Sequence, residues 1–513
     1  MNIIFWSALP NVYGQIQRYL GPYQLGYYLE ENGYTYQVID FTATSNTEKM
    51  SEEEIIMFTE KFITSDTKVL GLSSTFFHNH GNISKIPDNL SNALQIIKSK
   101  YPNLKFVLGG NKAETYNNDT TILFDAVVVG LAEDLMLELM NYYSGLGPEP
   151  KSRKLLLHKT KFYYSDDVIE KKFDIQHSRH RWSEKDCIIP GETLPLEVSR
   201  GCIFKCKFCQ YPLLGRSKYD YTRSPECLKD ELIDNYKKWG TTNYFVIDDT
   251  FNDTVQKIKD FYEMTLTLPF KIKYATYLRA DLLHRFPETI LWLKDSGLIG
   301  AYFGIETLNS EASKAIGKAW SGTKAKEFLP WLVHEAWNDE VAVHLSFISG
   351  LPGETPETLI ETANWLHDNK FISWFFKPLG IAKYDNRIFS SGFSKEAEEW
   401  GFQWPNPNEP YNWINEKYNW TYKKAIEWAG KANAIKDPSF KFDSWSFMSM
   451  LTLGYKLDDL FNVPRGKFSS ATLVKKRRHW IEAYMEKLKK LPEAANIDDH
   501  IQKIKLLDQH LFQ

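Results

Sequence analysis

The sequence predicts an α/β protein: an N-terminal doubly wound (Rossmann-like) domain, then a partial (β/α)6 TIM-type barrel, then a mainly helical C-terminal region. Two runs of short apolar strands alternating with amphipathic helices predict it, one over residues 1–145 and one over 191–385. The alternation stops near 385, where the composition turns to tryptophan and then to Lys and Glu. A chain of 513 residues has room for several domains of ordinary size.

In the first run, strands are expected at Asn2–Trp6, Thr35–Asp40, Lys68–Ser73, Lys105–Leu108 and Ala126–Val129. Helical patterns fall between and after them, at Tyr23–Glu31, Glu52–Ile63, Leu90–Lys100 and Glu133–Tyr142. Three strands end in small residues: Ser73-Ser74, Gly109-Gly110 and Gly130. Such residues let a ligand approach the backbone at the carboxyl edge of a parallel sheet, where these sheets bind ligands. Residues 146–190 read as a linker holding a hairpin, because Gly145, Gly147, Pro148 and Pro150 interrupt the alternation. His177, Arg179 and His180 read as solvated residues of that linker.

The second run has strands expected at Leu194–Ser199, Asn243–Asp248, Ile272–Leu278, Gly300–Ile305, Val341–Ile348 and Ile372–Pro378. A helical stretch follows each of the first five, and functional residues of a barrel belong at the strands' carboxyl ends. Residues 386–513 form the last region, with six Trp between Trp400 and Trp445. Packing against the barrel is the expectation for them, with a lid over an apolar or planar substrate as the other reading.

Hydrophobic residues make up 43% and charged residues 25%, as in soluble globular proteins, and aromatic content is high at 15%. A net charge of −3 offers no electrostatic case for nucleic acid or a membrane surface as partner. No apolar run approaches a membrane span, and Met1–Pro10 reads as a buried strand without the basic start of a signal peptide. Five cysteines, three of them clustered, suit a reducing compartment, so a cytoplasmic protein is expected.

The cluster is Cys202, Cys206 and Cys209, spaced Cys-x3-Cys-x2-Cys after the first barrel strand. Thiolates select soft metals and iron–sulfur clusters, and closed sites want four ligands, so three leave a position open. A zinc knuckle completed by Cys187, Cys227 or a His is the alternative, and would make the chain a non-catalytic binding protein.

With Phe208 just before the last Cys, this motif resembles that of the radical S-adenosylmethionine (SAM) superfamily. Further segments extend the resemblance over about 194–378: Asp248-Asp249-Thr250-Phe251-Asn252, Tyr277-Leu278-Arg279-Ala280-Asp281, Phe303-Gly304-Ile305-Glu306-Thr307 and Ser349-Gly350-Leu351-Pro352-Gly353. The resemblance implies a 4Fe-4S cluster on the three cysteines. It further implies that Phe208, Asp248, Asp249, Arg279, Glu306 and Gly350 are the SAM-binding residues, and that SAM is cleaved to a 5′-deoxyadenosyl radical.

The first domain resembles the cobalamin-binding domain of one branch of that superfamily, which assigns Ser73, Ser74, Gly109, Gly110 and Gly130 to the corrin. No Asp-x-His-x-x-Gly follows the first strand, so no lower axial His is evident, and His78 and His80 read as loop residues. The branch with a second cluster in the N-terminal domain is set aside, since the first cysteine of the chain is Cys187. The implied activity is methyl transfer from cobalamin to an unactivated carbon of a small-molecule or peptide substrate, with a flavodoxin- or ferredoxin-type electron donor. Cyclisation or oxidation without methylation, and a first domain serving only as scaffold, are the alternatives. The residues do not name a catalytic side chain.

Overall fold

The computed structural model describes residues 1–7, 18–40, 51–73, 86, 88–110, 113, 121–151, 153–157, 159–165, 173–209, 219–318, 320, 322–371, 373–381, 391–406, 409, 411–435 and a few positions between 483 and 491. Ser74, His78, His80, Trp445 and most of the Lys/Glu-rich C-terminal stretch lie outside them.

The first sheet contains β1 (Ile3–Ser7), β2 (Tyr36–Asp40), β3 (Val69–Ser73), β4 (Lys105–Gly109) and β5 (Ala126–Val129). The hairpin strands β6 (Arg153–Leu157) and β7 (Thr160–Tyr164) complete it, in the order β2-β1-β3-β4-β5-β7-β6. All neighbours pair in parallel except β6 with β7. The hairpin expected in a linker therefore belongs to the sheet: β7 runs parallel alongside β5, with β6 at the edge. Strands buried on both faces read as unbroken apolar runs, and alternate residues feed opposite cores. Ile4 and Trp6 enter a core built on one face of the first sheet, while Ile3 and Phe5 enter one continuous with the barrel.

The second sheet runs β8 (Leu194–Leu196), β9 (Asn243–Val246), β10 (Lys273–Leu278), β11 (Leu298–Glu306), β12 (Ala342–Ser349) and β13 (Trp374–Pro378) in sequential order, all parallel. This is the partial (β/α)6 barrel. Three of its helices start on Ser or Thr caps: Ser224 accepts from the Cys227 amide with Pro225 following, Thr254 accepts from Lys257, and Thr355 accepts from Thr358 with Pro356 following. Each cap satisfies an amide the helix cannot.

The described part of the C-terminal region combines short helices with a small antiparallel sheet of Phe402–Gln403, Ile414–Asn415 and Trp420–Thr421, then the helix Tyr422–Ala434. Trp413 and Trp420 are buried here, their indole N–H groups donating to Leu379 O (2.9 Å) and Glu354 O (2.8 Å). The helix covers the exposed edge of the second sheet: the Phe376 amide donates to Asn433 Oδ1, and Asn433 Nδ2 donates back to Phe376 O. Covering an edge strand removes a template for wrong pairing.

Candidate functional site

The cysteine loop leaves β8 and is held on three sides. The Lys207 amide donates to Ile316 O, its carbonyl accepts from Phe393 N, and its ammonium pairs with Glu396. The loop thus sits between the turn after β11 and the C-terminal region. None of the five cysteines is in a disulfide; Cys202 is 5% exposed, Cys206 and Cys209 are half-buried, and the Cys209 amide closes a turn on Cys206 O. Burial pushes the Cys202 thiol up, against the pull of Thr250, whose hydroxyl lies 3.5 Å from the sulfur. Phe208 packs, partly buried, against the barrel core.

Among the described residues no three His, Cys, Asp or Glu side chains converge as a ready-made metal site. What fits an iron–sulfur cluster is the donor set: three thiols outside any disulfide on one short loop, with Thr250 beside Cys202 and Arg279 beside Cys206. Among the described residues neither Cys187 nor Cys227 groups with them as a zinc site. Cys187 lies in the core on one face of the first sheet, and Cys227 is buried in the first turn of the helix after the loop.

Asp248 and Asp249 part company. Asp248 Oδ1 accepts from the Val198 and Ser199 amides at 2.9 Å each, and Oδ2 accepts from Ser199 Oγ and faces Lys257 Nζ at 3.4 Å. Both oxygens are engaged below the strand ends, so Asp248 serves the scaffold. Burial raises its carboxyl, and Lys257 pulls it back. Asp249 is the carboxylate exposed at that strand end. Lys257 has no exposed surface, and its ammonium also reaches Asp253 at 2.7 Å, Ser199 Oγ at 2.9 Å and Thr250 O at 3.0 Å.

Arg279 follows β10 and is turned toward the loop, with its guanidinium stacked on Phe204, forked onto Asp281 and in reach of Cys206. Glu306 ends β11 at a bulge with φ of +70°, a left-handed conformation that costs a non-glycine residue. Lys318 Nζ donates to Gly304 O and lies 3.4 Å from Glu306 Oε1. A cleft opens here, lined by Asp281, Gly304, Thr307, Lys318 and Trp320. Gly350 is placed differently: a Cβ there would stand 2.8 Å from Trp413, so this glycine admits the C-terminal region.

The carboxyl edge of the first sheet carries Ser7, Ser73, Gly109, Gly130 and Ser165 at or just past the ends of β1, β3, β4, β5 and β7. The order β2-β1-β3-β4-β5 reverses between β1 and β3, and ligands of such sheets bind at that switch point. A Cβ on Gly109 would meet nothing within 4 Å, and Gly110 beside it is exposed with φ of +105°. Gly130 instead abuts the Ser165 hydroxyl. Among the described residues, Ser7 Oγ, Ser165 Oγ and Glu133 Oε2 are buried here without hydrogen-bond partners. Small residues and orphaned polar atoms fit a large polar ligand laid across the edge.

Arg200 joins this edge to the cysteine loop. Nη1 donates to Glu133 Oε1 at 2.6 Å, while Nε and Nη2 fork onto Glu197 at 2.8 Å each. Reading the sequence alone missed Arg200, Lys257, Thr250 and Lys318. The available signal was weak: Arg200 directly precedes the Gly-Cys of the motif, while a helical Lys such as Lys257 ordinarily faces solvent.

Residues 196–366 match the family model described as the radical SAM superfamily. A curated relative, the bacteriochlorophyllide d C-8(2)-methyltransferase of Chlorobaculum tepidum, is 24% identical over 219 residues; the match covers 41% of this chain and 46% of that protein. The chain therefore spans less than half the length of the curated relative it matches. Among solved structures, the radical SAM methyltransferase TsrM of Kitasatospora setae, with tryptophan and a SAM analogue bound, superposes with a TM-score of 0.67 at 16% identity. It covers 93% of this chain and 99% of its own. The cobalamin-dependent enzyme OxsB, with aqua-cobalamin and SAM bound, superposes with a TM-score of 0.59 at 13% identity, over 98% and 83%. At these identities the likeness defines the fold: a doubly wound domain followed by a partial barrel along nearly the whole chain.

Proposed function

We propose that this chain, which carries a radical SAM superfamily domain over residues 196–366, is a cobalamin-dependent radical SAM enzyme that transfers a methyl group to an unactivated carbon of a small-molecule or peptide substrate. The observation that carries the reading is the Arg200–Glu133 ion pair, which ties the carboxyl edge of the first sheet to the cysteine loop. The edge suited to a corrin and the loop suited to a cluster thereby share one border.

When bound, the cluster supplies one electron for SAM cleavage and cobalamin a transferable methyl group. Cys202, Cys206 and Cys209 would hold three of the irons. Asp249 offers an exposed carboxylate for the SAM ammonium, and Glu306, in its left-handed turn, a second polar contact. Phe208 walls the loop. Ser73, Ser74, Gly109, Gly110 and Gly130 would border the corrin. The buried carboxylates and lysine beneath the strand ends hold these groups in place, and positioning is what a protein contributes when cofactors carry the difficult chemistry. Cysteines outside any disulfide and an oxygen-labile cluster suit the cytoplasm, with a flavodoxin- or ferredoxin-type donor.

The test is anaerobic purification and reconstitution of the full chain. We expect about four irons per chain, SAM cleavage under reductant and a bound corrinoid absorbance. Cys206→Ala should lose the cluster, and Gly109→Leu should lose the corrinoid while keeping the iron. A wild-type chain with a full cluster and no corrinoid would leave the first domain a scaffold. A chain that binds zinc in place of iron would end the reading altogether.

A further inference from the structure

The family resemblance implies that Arg279 is a SAM-binding residue, but its fork is already committed. Nε and Nη2 donate to the two oxygens of Asp281 at 3.0 and 2.6 Å. The guanidinium carbon lies 3.9 Å from the centroid of the Phe204 ring, inside the cysteine loop. The remaining nitrogen, Nη1, points to Cys206 Sγ at 3.6 Å. The backbone is pinned as well: Asn252 Oδ1 accepts from the Arg279 amide at 2.8 Å, and Asn252 Nδ2 donates to its carbonyl at 2.9 Å. Only 6% of the residue is exposed, so water does little to screen its charge. A side chain fixed at backbone, fork and ring face has little freedom to turn to another ligand.

We propose that Arg279 is a positioning residue for the cluster: it hydrogen-bonds the Cys206 thiolate, and its charge, offset by Asp281, sets how readily the bound cluster accepts its electron. The inference rests on the cysteine loop being a cluster site. The step is a one-electron reduction; a flavodoxin- or ferredoxin-class donor is oxidised, and no bond in this chain forms or breaks. Each added electron makes the cluster and its thiolates more negative, so a nearby cation stabilises the reduced form. Net charge and hydrogen bonds to the sulfurs are among the determinants of such potentials. Asp281 acts in the opposite sense because it neutralises part of the guanidinium. Opposite signs from adjacent residues are the signature of an electrostatic role, since damage to the loop would move both variants alike.

The experiment is an EPR-monitored redox titration of anaerobically reconstituted full-length chains, with iron counted in each. Arg279→Met should shift the ratio of reduced to oxidised cluster about tenfold toward oxidised at a given potential, which is about 59 mV for one electron. Asp281→Asn should shift it several-fold toward reduced. Arg279→Lys, which keeps the charge and loses the fork, should shift it less than half as far as Met. Unmoved potentials with wild-type iron content, or Arg279→Met and Asp281→Asn moving together, overturn the inference. If the Met variant loses its iron, the Lys and Asn variants decide by the same signs. A wild-type chain without a cluster would sink the functional reading itself and this inference with it; a wild-type cluster with unmoved variants sinks the inference alone.

Discussion

Asp186 is the residue whose chemistry reports most directly on folding. It is 2% exposed, and one oxygen accepts from the Ser183 amide at 2.8 Å and from its hydroxyl at 3.0 Å. Burial pushes its pKa up to about 6 in spite of those bonds and of Arg18 nearby. A carboxyl raised above its unfolded value holds its proton in the folded chain, so the folded state is favoured at low pH and loses that advantage as pH climbs. The loss falls between about pH 4 and pH 6 and amounts to about 3 kcal/mol at 1.36 kcal/mol per unit. Asp186→Asn should remove it, so the gap in urea stability between variant and wild type should widen in the variant's favour by about that amount from pH 3 to 7.5. A gap that stays constant would place the titration elsewhere. Asp186 was invisible as sequence: one Asp in a charged stretch, distinguished only by the domain that closes over it.

At the scale of elements, strand–helix alternation was legible almost throughout, because a parallel strand buried on both faces is a short apolar run and three of the barrel helices announce themselves with a Ser or Thr cap. The ends were less legible. Strands expected to reach Ser199 and Asp248 stop at Leu196 and Val246, because the amides of Val198 and Ser199 bond the Asp248 side chain and not a neighbouring strand. Gly350 shows the same limit. Its motif pointed to SAM, yet with φ of +85° and Trp413 against it, the glycine is needed for the turn after β12 and for docking the C-terminal region. Gly350→Ala should therefore cost about 1–3 kcal/mol of stability, seen as a lower melting temperature at unchanged iron content. Retained stability with weakened SAM binding would return the residue to the SAM site.

At the scale of the whole molecule, the two domains meet through buried charge. Arg18 forks onto Glu192 and donates to the carbonyls of Asp186 and Cys187, while Arg200 joins Glu133 to Glu197. Removing one member leaves its partners buried and unpaired, which is far costlier than losing an exposed pair. Arg200→Met should destabilise the chain by about 3 kcal/mol and speed hydrogen exchange together at residues 130–133 and 197–202. Faster exchange on only one side would mean that the pair does not couple the two domains.

The sequence by itself determined the α/β order of the chain, the three-cysteine loop and its place after the first barrel strand, since each depends on residues within one element or one turn. The tertiary structure alone decided which polar residues face outward and which are spent on the frame. Asp248 lies about 50 residues from the amides it accepts, Arg279 is 73 from Cys206, and Arg200 is 67 from Glu133. Periodicity and spacing act over a few residues. Buried charges are paired with whatever the fold brings beside them, and that is settled only when the two sheets pack.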